Sequence, residues 1–156
     1  MKRALPWSAT CFVCGDSNPT GLRARFVVDG DRVRLDTEVE EGFEGYHGQV
    51  HGGVISALLD ETVGWACTHK VQRLCLTREL KVRFKKPVPS GARITVWGVV
   101  DEVANPLVSG HGWIEDAGGT VLATAEGTFF PVRRDVHDEV MGELKMPGRR
   151  ARPDDI

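Results

Sequence analysis

The chain has 156 residues, enough for one domain of ordinary size, and its 41% hydrophobic and 27% charged residues are typical of a globular protein. Twenty Lys and Arg against 22 Asp and Glu give a net charge of −2, without the basic excess that a nucleic-acid partner would demand. No apolar run approaches the roughly 20 residues needed to cross a bilayer, and no apolar stretch follows the positive start Met1–Trp7. A soluble, cytoplasmic protein with no membrane partner is therefore expected.

Cys11-Phe12-Val13-Cys14 opens the chain with a CxxC. A structural zinc takes four ligands, and no second CxxC or HxxxH follows, so no metal is expected. A redox CxxC would open a helix after a strand. This one runs into Gly15–Gly21, which is turn chemistry, so residues 1–21 read as a packed lead-in. Cys67 and Cys75 read as small buried hydrophobes.

Arg23–Val28 and Arg32–Val39 read as two strands joined at Asp29-Gly30-Asp31, a hairpin signal. In the second, Val33, Leu35, Thr37 and Val39 alternate with charged residues, so one face should be buried. Residues 40–51 form a polar, Gly-rich loop carrying His47 and His51. From Gly52 to about His69 apolar residues cover most of a helix's circumference, which predicts a buried helix. Strands follow at Glu79–Lys85, Ala92–Val103, Leu107–Glu115 and Thr120–Val132. Residues 133–156 read as a charged tail, frayed beyond about residue 140. Two strands, one long apolar helix and four strands make an α+β architecture, an antiparallel sheet around a central helix. An exposed sheet edge in so small a layer invites a second copy, so a homo-oligomer is expected.

The densest chemical signal is the segment from Phe43 to Gly64. His51-Gly52-Gly53 stands where the loop enters the helix, and the first helical N–H groups have no intrahelical partner. Glycine lets a ligand oxygen approach such donors, as an oxyanion hole requires. Asp60 follows about two turns later, a carboxylate in an apolar helix where unpaired burial is costly. The plainer alternatives are turn punctuation for the glycines and a solvated patch for Asp60 and Glu61. No P-loop or dinucleotide fingerprint is present, and no cofactor is expected.

Val50-His51-Gly52-Gly53 with Leu59-Asp60-Glu61-Thr62-Val63-Gly64 resembles the hotdog-fold acyl-CoA thioesterases, the PaaI-like thioesterase superfamily. Thr77–Pro89 is similar to the strand after the helix in that family, and Thr124–Phe129 to its closing strand. Cys-Phe-Val-Cys-Gly with Asn18-Pro19-Thr20-Gly21-Leu22 also recurs at the front of some bacterial members. The resemblance covers roughly residues 11–132, with residues 22–132 as the hotdog domain.

It implies hydrolysis of an acyl-CoA to a carboxylic acid and free coenzyme A, in a homodimer or homotetramer with sites shared between subunits. By analogy Gly52 gives its backbone N–H to the thioester carbonyl, with His51 beside it and Gly53 next to the substrate. Asp60 of the neighbouring subunit activates water or attacks the carbonyl, and Thr77 matches a hydroxyl that positions the water. Strand parity sets Thr77 opposite Leu80, Val82 and Phe84, so either a bulge intervenes or the site lies away from that face. Where some members carry an Asn, this chain has Gly45. Arg83, Lys85 and Lys86 are candidates for the coenzyme A phosphates, or else guard a sheet edge. His47 either contacts substrate or is simply solvated. Trp65, Trp97, Trp113 and Phe129 either line an acyl pocket or pack the core. Two other readings stay open: a dehydratase or hydratase using His51 with Asp60, and a non-catalytic acyl-thioester-binding module. The acyl chain, and coenzyme A against acyl carrier protein as its carrier, are open as well.

Overall fold

A computed structural model describes residues 2–156. The strands are β1 (Arg3–Ala4), β2 (Val27–Asp29), β3 (Arg32–Glu38), β4 (Cys75–Phe84), β5 (Arg93–Ala104), β6 (Leu107–Asp116), β7 (Val121–Pro131), β8 (Lys145–Met146) and β9 (Arg149–Arg150). The helices are α1 (Gly52–Val71) and α2 (Arg134–Glu143), with a 3₁₀ turn at Glu41–Phe43. Seven strands form one antiparallel sheet in the order β1-β2-β3-β5-β6-β7-β4, and β8 pairs with β9 apart from it.

α1 packs against β3 to β7 with Leu58, Leu59, Val63 and Cys67 wholly buried, as an all-round apolar helix must. The sheet makes room for it with glycine. A Cβ at Gly98 would stand 2.5 Å from the Thr62 carbonyl oxygen, and one at Gly112 would stand 2.7 Å from a Val63 methyl. Helix and sheet therefore approach more closely than side chains would allow. His51 caps the helix at its start, and Gln72, in the left-handed conformation at φ 53°, ends it.

Three expectations need correction. Arg23–Val28 is not one strand, because only Val27–Asp29 joins the sheet. The N–H groups of Leu22 and Ala24 go instead to the carbonyls of Phe12 and Val13, so the lead-in takes that segment's bonds. β4 begins at Cys75, four residues before the expected Glu79. The frayed tail is the third: its end folds back. Met141, Leu144, Ala151 and Ile156 are buried, and Trp7 and Lys145 exchange backbone hydrogen bonds at 3.1 and 2.8 Å. His137, fully buried on α2, accepts the Leu74 N–H at Nδ1. Lead-in and tail thus cover one another. No helix is long and apolar enough to cross a membrane among the described residues.

Candidate functional site

At the start of α1 nearly every donor is engaged. Gly53 N–H goes to His51 Nδ1 at 2.9 Å, and the Val54 and Ile55 N–H groups go to the His51 carbonyl at 2.9 and 3.1 Å. Gly52 N–H is left without an intramolecular acceptor among the described residues. The acceptor role of Nδ1 places the proton of a neutral His51 on Nε2. A side chain at Gly53 would meet His51 Nδ1 at 3.0 Å, and one at Gly45 would meet the other edge of the same ring at 3.2 Å. Both glycines therefore shape the imidazole's seat.

A cavity of about 650 Å³ opens at this helix end, lined among others by Gly45, Gly52, Ile55, Phe84, Lys85 and Lys86. Lys85 and Lys86 are fixed there by their N–H groups, which both donate to the Leu122 carbonyl. Phe84, which shares a strand face with Leu80 and Val82, is 56% exposed at the rim. It lies 3.4 Å from where a Gly52 Cβ would stand. The strand pattern carries no signal for this role. His47, Gly53 and Arg83 do not line the cavity: the His47 side chain is fully exposed, 3.6 Å from Glu44, and the Gly53 donor is spent on the cap. None of Trp65, Trp97, Trp113 and Phe129 lines it either. Trp65 and Phe129 are buried, and Trp97 stacks on Trp113 with centroids 6.1 Å apart.

Asp60 and Thr77 meet elsewhere. Thr77 Oγ1 donates to Asp60 Oδ1 at 2.7 Å. The parity conflict at Thr77 is resolved by a bulge: register with β7 shifts between Thr77 and Glu79, so Arg78 is extra and Thr77 turns to the helix side. Asp60 is half-buried, and that burial pushes its carboxyl above the usual range while the Thr77 hydroxyl pulls it back. Its second oxygen remains available to take a proton. Gly52 and Asp60 stand eight residues apart on one helix, about 12 Å along its axis at ~1.5 Å per residue.

A family model described as the thioesterase superfamily matches residues 47–123, a span that holds His51, Gly52, Asp60 and Thr77. Over those residues the chain matches the thioesterase superfamily. A crystal structure of a thioesterase superfamily protein superposes with a TM-score of 0.72 at 27% identity, over 78% of this chain and 60% of that one. The present chain thus spans 60% of that relative's length. The PaaI protein from the phenylacetic acid degradation operon of E. coli gives 0.62 at 17% identity, over 67% of this chain and 75% of its own. A Streptococcus mutans protein bound to acetyl CoA gives 0.63 at 20% identity, over 69% and 86%. The last two speak to the fold, which is the hotdog fold. No curated protein matches.

Proposed function

We propose that this protein hydrolyses an acyl-CoA to a carboxylic acid and free coenzyme A in a homodimer or homotetramer with shared sites. One observation carries the reading. The free Gly52 donor and the Asp60–Thr77 pair lie too far apart in one chain to act on the same carbonyl, since reacting groups must come within about 3–3.5 Å. A second copy brings them together if its Asp60 faces the first copy's Gly52. β4, which carries Thr77, is an edge strand with one side unpaired and with Leu76 64% exposed, a surface suited to such a partner.

In that arrangement Gly52 N–H donates to the carbonyl oxygen as negative charge develops on it, at the positive end of α1. Asp60 takes a proton from water, whose oxygen adds to the carbonyl carbon. Collapse breaks the C–S bond, and the departing thiolate takes the proton back. Attack by Asp60 itself, through an anhydride that water then opens, uses the same parts. Thr77 donates to one Asp60 oxygen, which leaves its own lone pairs to hold the water. Lys85 and Lys86 on the cavity wall supply positive charge for the coenzyme A phosphates. The superfamily match over residues 47–123 and the acetyl CoA held by a structural neighbour support the thioester class of substrate.

His51 Nδ1 is committed to the helix cap, which disfavours the His–carboxylate chemistry of a dehydratase or hydratase. The test is thiol release over a panel of aliphatic and aromatic acyl-CoAs, with sedimentation at micromolar concentration. Hydrolysis by a species of at least two chains is expected. A clean, active monomer would overturn the shared site, and tight binding without release would make the protein a binding module.

A further inference from the structure

The CxxC plays no part in that chemistry, yet it is not idle in the structure. Cys11, Cys14 and Glu61 converge: both Sγ atoms and a Glu61 carboxylate oxygen lie within 4.8 Å of one another. The absence of a second CxxC argued against a metal, but α1 supplies a third donor from 50 residues away.

The turn around Cys11 is shaped for a thiolate. The N–H groups of Val13 and Cys14 each donate to Cys11 Sγ at 3.3 Å, and Gly15 N–H closes the turn on the Cys11 carbonyl at 2.9 Å. A Cβ at Gly15 would stand 2.4 Å from that carbonyl oxygen, so the turn admits only glycine. Backbone donors aimed at sulfur favour the deprotonated, metal-binding form. Glu61 is half-buried, and its Oε2 accepts from the Cys11 thiol of the lead-in. No Lys or Arg pairs with it among the described residues, so a cation is what the group lacks.

We propose that Cys11, Cys14 and Glu61 bind one zinc ion, with water in the fourth position. Two thiolates with a carboxylate suit zinc and exclude magnesium or calcium. Tetrahedral zinc with Zn–S about 2.3 Å and Zn–O about 2.0 Å sets sulfur and oxygen about 3.5 Å apart. Cys11 Sγ and Glu61 Oε2 are 3.4 Å apart. On binding, the thiols lose their protons to solvent and the two sulfurs and one oxygen donate electron pairs, with no redox step. The ion clips the lead-in to the middle of α1, one residue from Asp60, so its effect is on the stability of that contact. The site stands whether or not the protein turns over acyl-CoA.

The test uses the reduced full-length chain, stripped of metal and titrated with Zn²⁺ against a chromophoric chelator. A parallel titration with Co²⁺ is followed by the thiolate-to-cobalt charge-transfer band. One zinc per chain and a strong cobalt band are expected, with a rise in melting temperature on zinc addition. Cys11→Ser or Cys14→Ser should each remove the cobalt band, and Glu61→Gln should weaken zinc binding roughly tenfold or more. Absence of the band from the parent chain would overturn the site without recourse to any variant's folding. So would a zinc equivalent retained by the Cys11→Ser/Cys14→Ser double variant. A Cys11–Cys14 disulfide that forms equally fast with and without Zn²⁺ would also overturn it.

Discussion

Asp60 and Glu61 are adjacent carboxylates on one helix, and they meet different halves of the molecule. A residue step turns an α-helix by about 100°, enough to point one at the edge strand and the other at the lead-in. Asp60 accepts a single bond from the Thr77 hydroxyl, and the strand beyond it has an open side. Glu61 lies against Cys11 and Cys14 of the lead-in and is pushed up to about 8 by its burial. Equal chemistry therefore becomes unequal through packing alone. A carboxylate with one free oxygen at an open edge can move a proton for a substrate, whereas one walled in by the chain's own terminus can only hold something in place. Changes on the Asp60 side should show as rates, and changes on the lead-in side as stability.

The largest expected effect is that of Asp60→Asn. Asn keeps the shape and a bond to Thr77 but cannot accept the proton, and loss of a general base costs about 10²–10⁴-fold. The drop should fall on kcat with KM little changed, and circular dichroism and thermal melting should match the parent. Turnover within about threefold of the parent, far below that range, would remove Asp60 from the mechanism and end the contrast. Next comes Leu5→Ala, on the other side. Leu5 is 2% exposed and ties the lead-in to the core, its N–H bonding the Phe26 carbonyl at 3.0 Å. Truncation of a buried Leu costs ~2–5 kcal/mol, so urea unfolding should shift strongly. The kcat of the protein that remains folded should stay near the parent's. A fall in kcat equal to that of Asp60→Asn would show that the two sides are not separable.

The two halves were also unequally legible. The period-two run of Arg32–Val39 and the all-round apolar stretch from Gly52 carry their burial in their own pattern, and both elements form. His51, Gly52 and Asp60 could be singled out because their signal is local: a glycine pair entering an apolar helix, and a charge within it. Thr77 resisted, because one extra residue at Arg78 reverses its face and nothing in the strand announces the bulge. The tail was misread as frayed because Met141, Leu144, Ala151 and Ile156 are sparse among charges. They find cover from segments far away in the chain, the lead-in among them. Glu61 was hidden for the same reason, since its partners sit 50 positions earlier. Contacts between distant segments leave no periodicity to read.

A smaller effect sharpens the Asp60 side. Thr77→Val removes the hydroxyl and keeps the shape, and a hydrogen bond to a charged group is worth ~1.5–3 kcal/mol. Turnover should fall roughly 10- to 100-fold on that scale, while Thr77→Ser should recover most of it. Full turnover in Val with loss in Ser would mean that the methyl, through packing, is what matters.

The smallest effect tests what His51 contributes at the far end of the helix. Its Nδ1 accepts the Gly53 N–H and its carbonyl accepts those of Val54 and Ile55, so the residue builds the turn that leaves Gly52 N–H free. Removing such a cap costs ~0.5–2 kcal/mol, and His51→Ala should lower the melting temperature accordingly. Turnover should fall too, but by less than the roughly hundredfold that outright loss of an oxyanion donor costs, because Gly52 itself is intact. His51→Asn is the discriminating variant. Asn is among the strongest N-caps and its side-chain oxygen can replace Nδ1, yet it carries no proton to exchange near neutral pH. Recovery of both stability and turnover would make His51 a positioning residue that acts through the helix start. Recovery of stability alone would put the imidazole in the chemistry and revive the His–carboxylate pair of a dehydratase or hydratase.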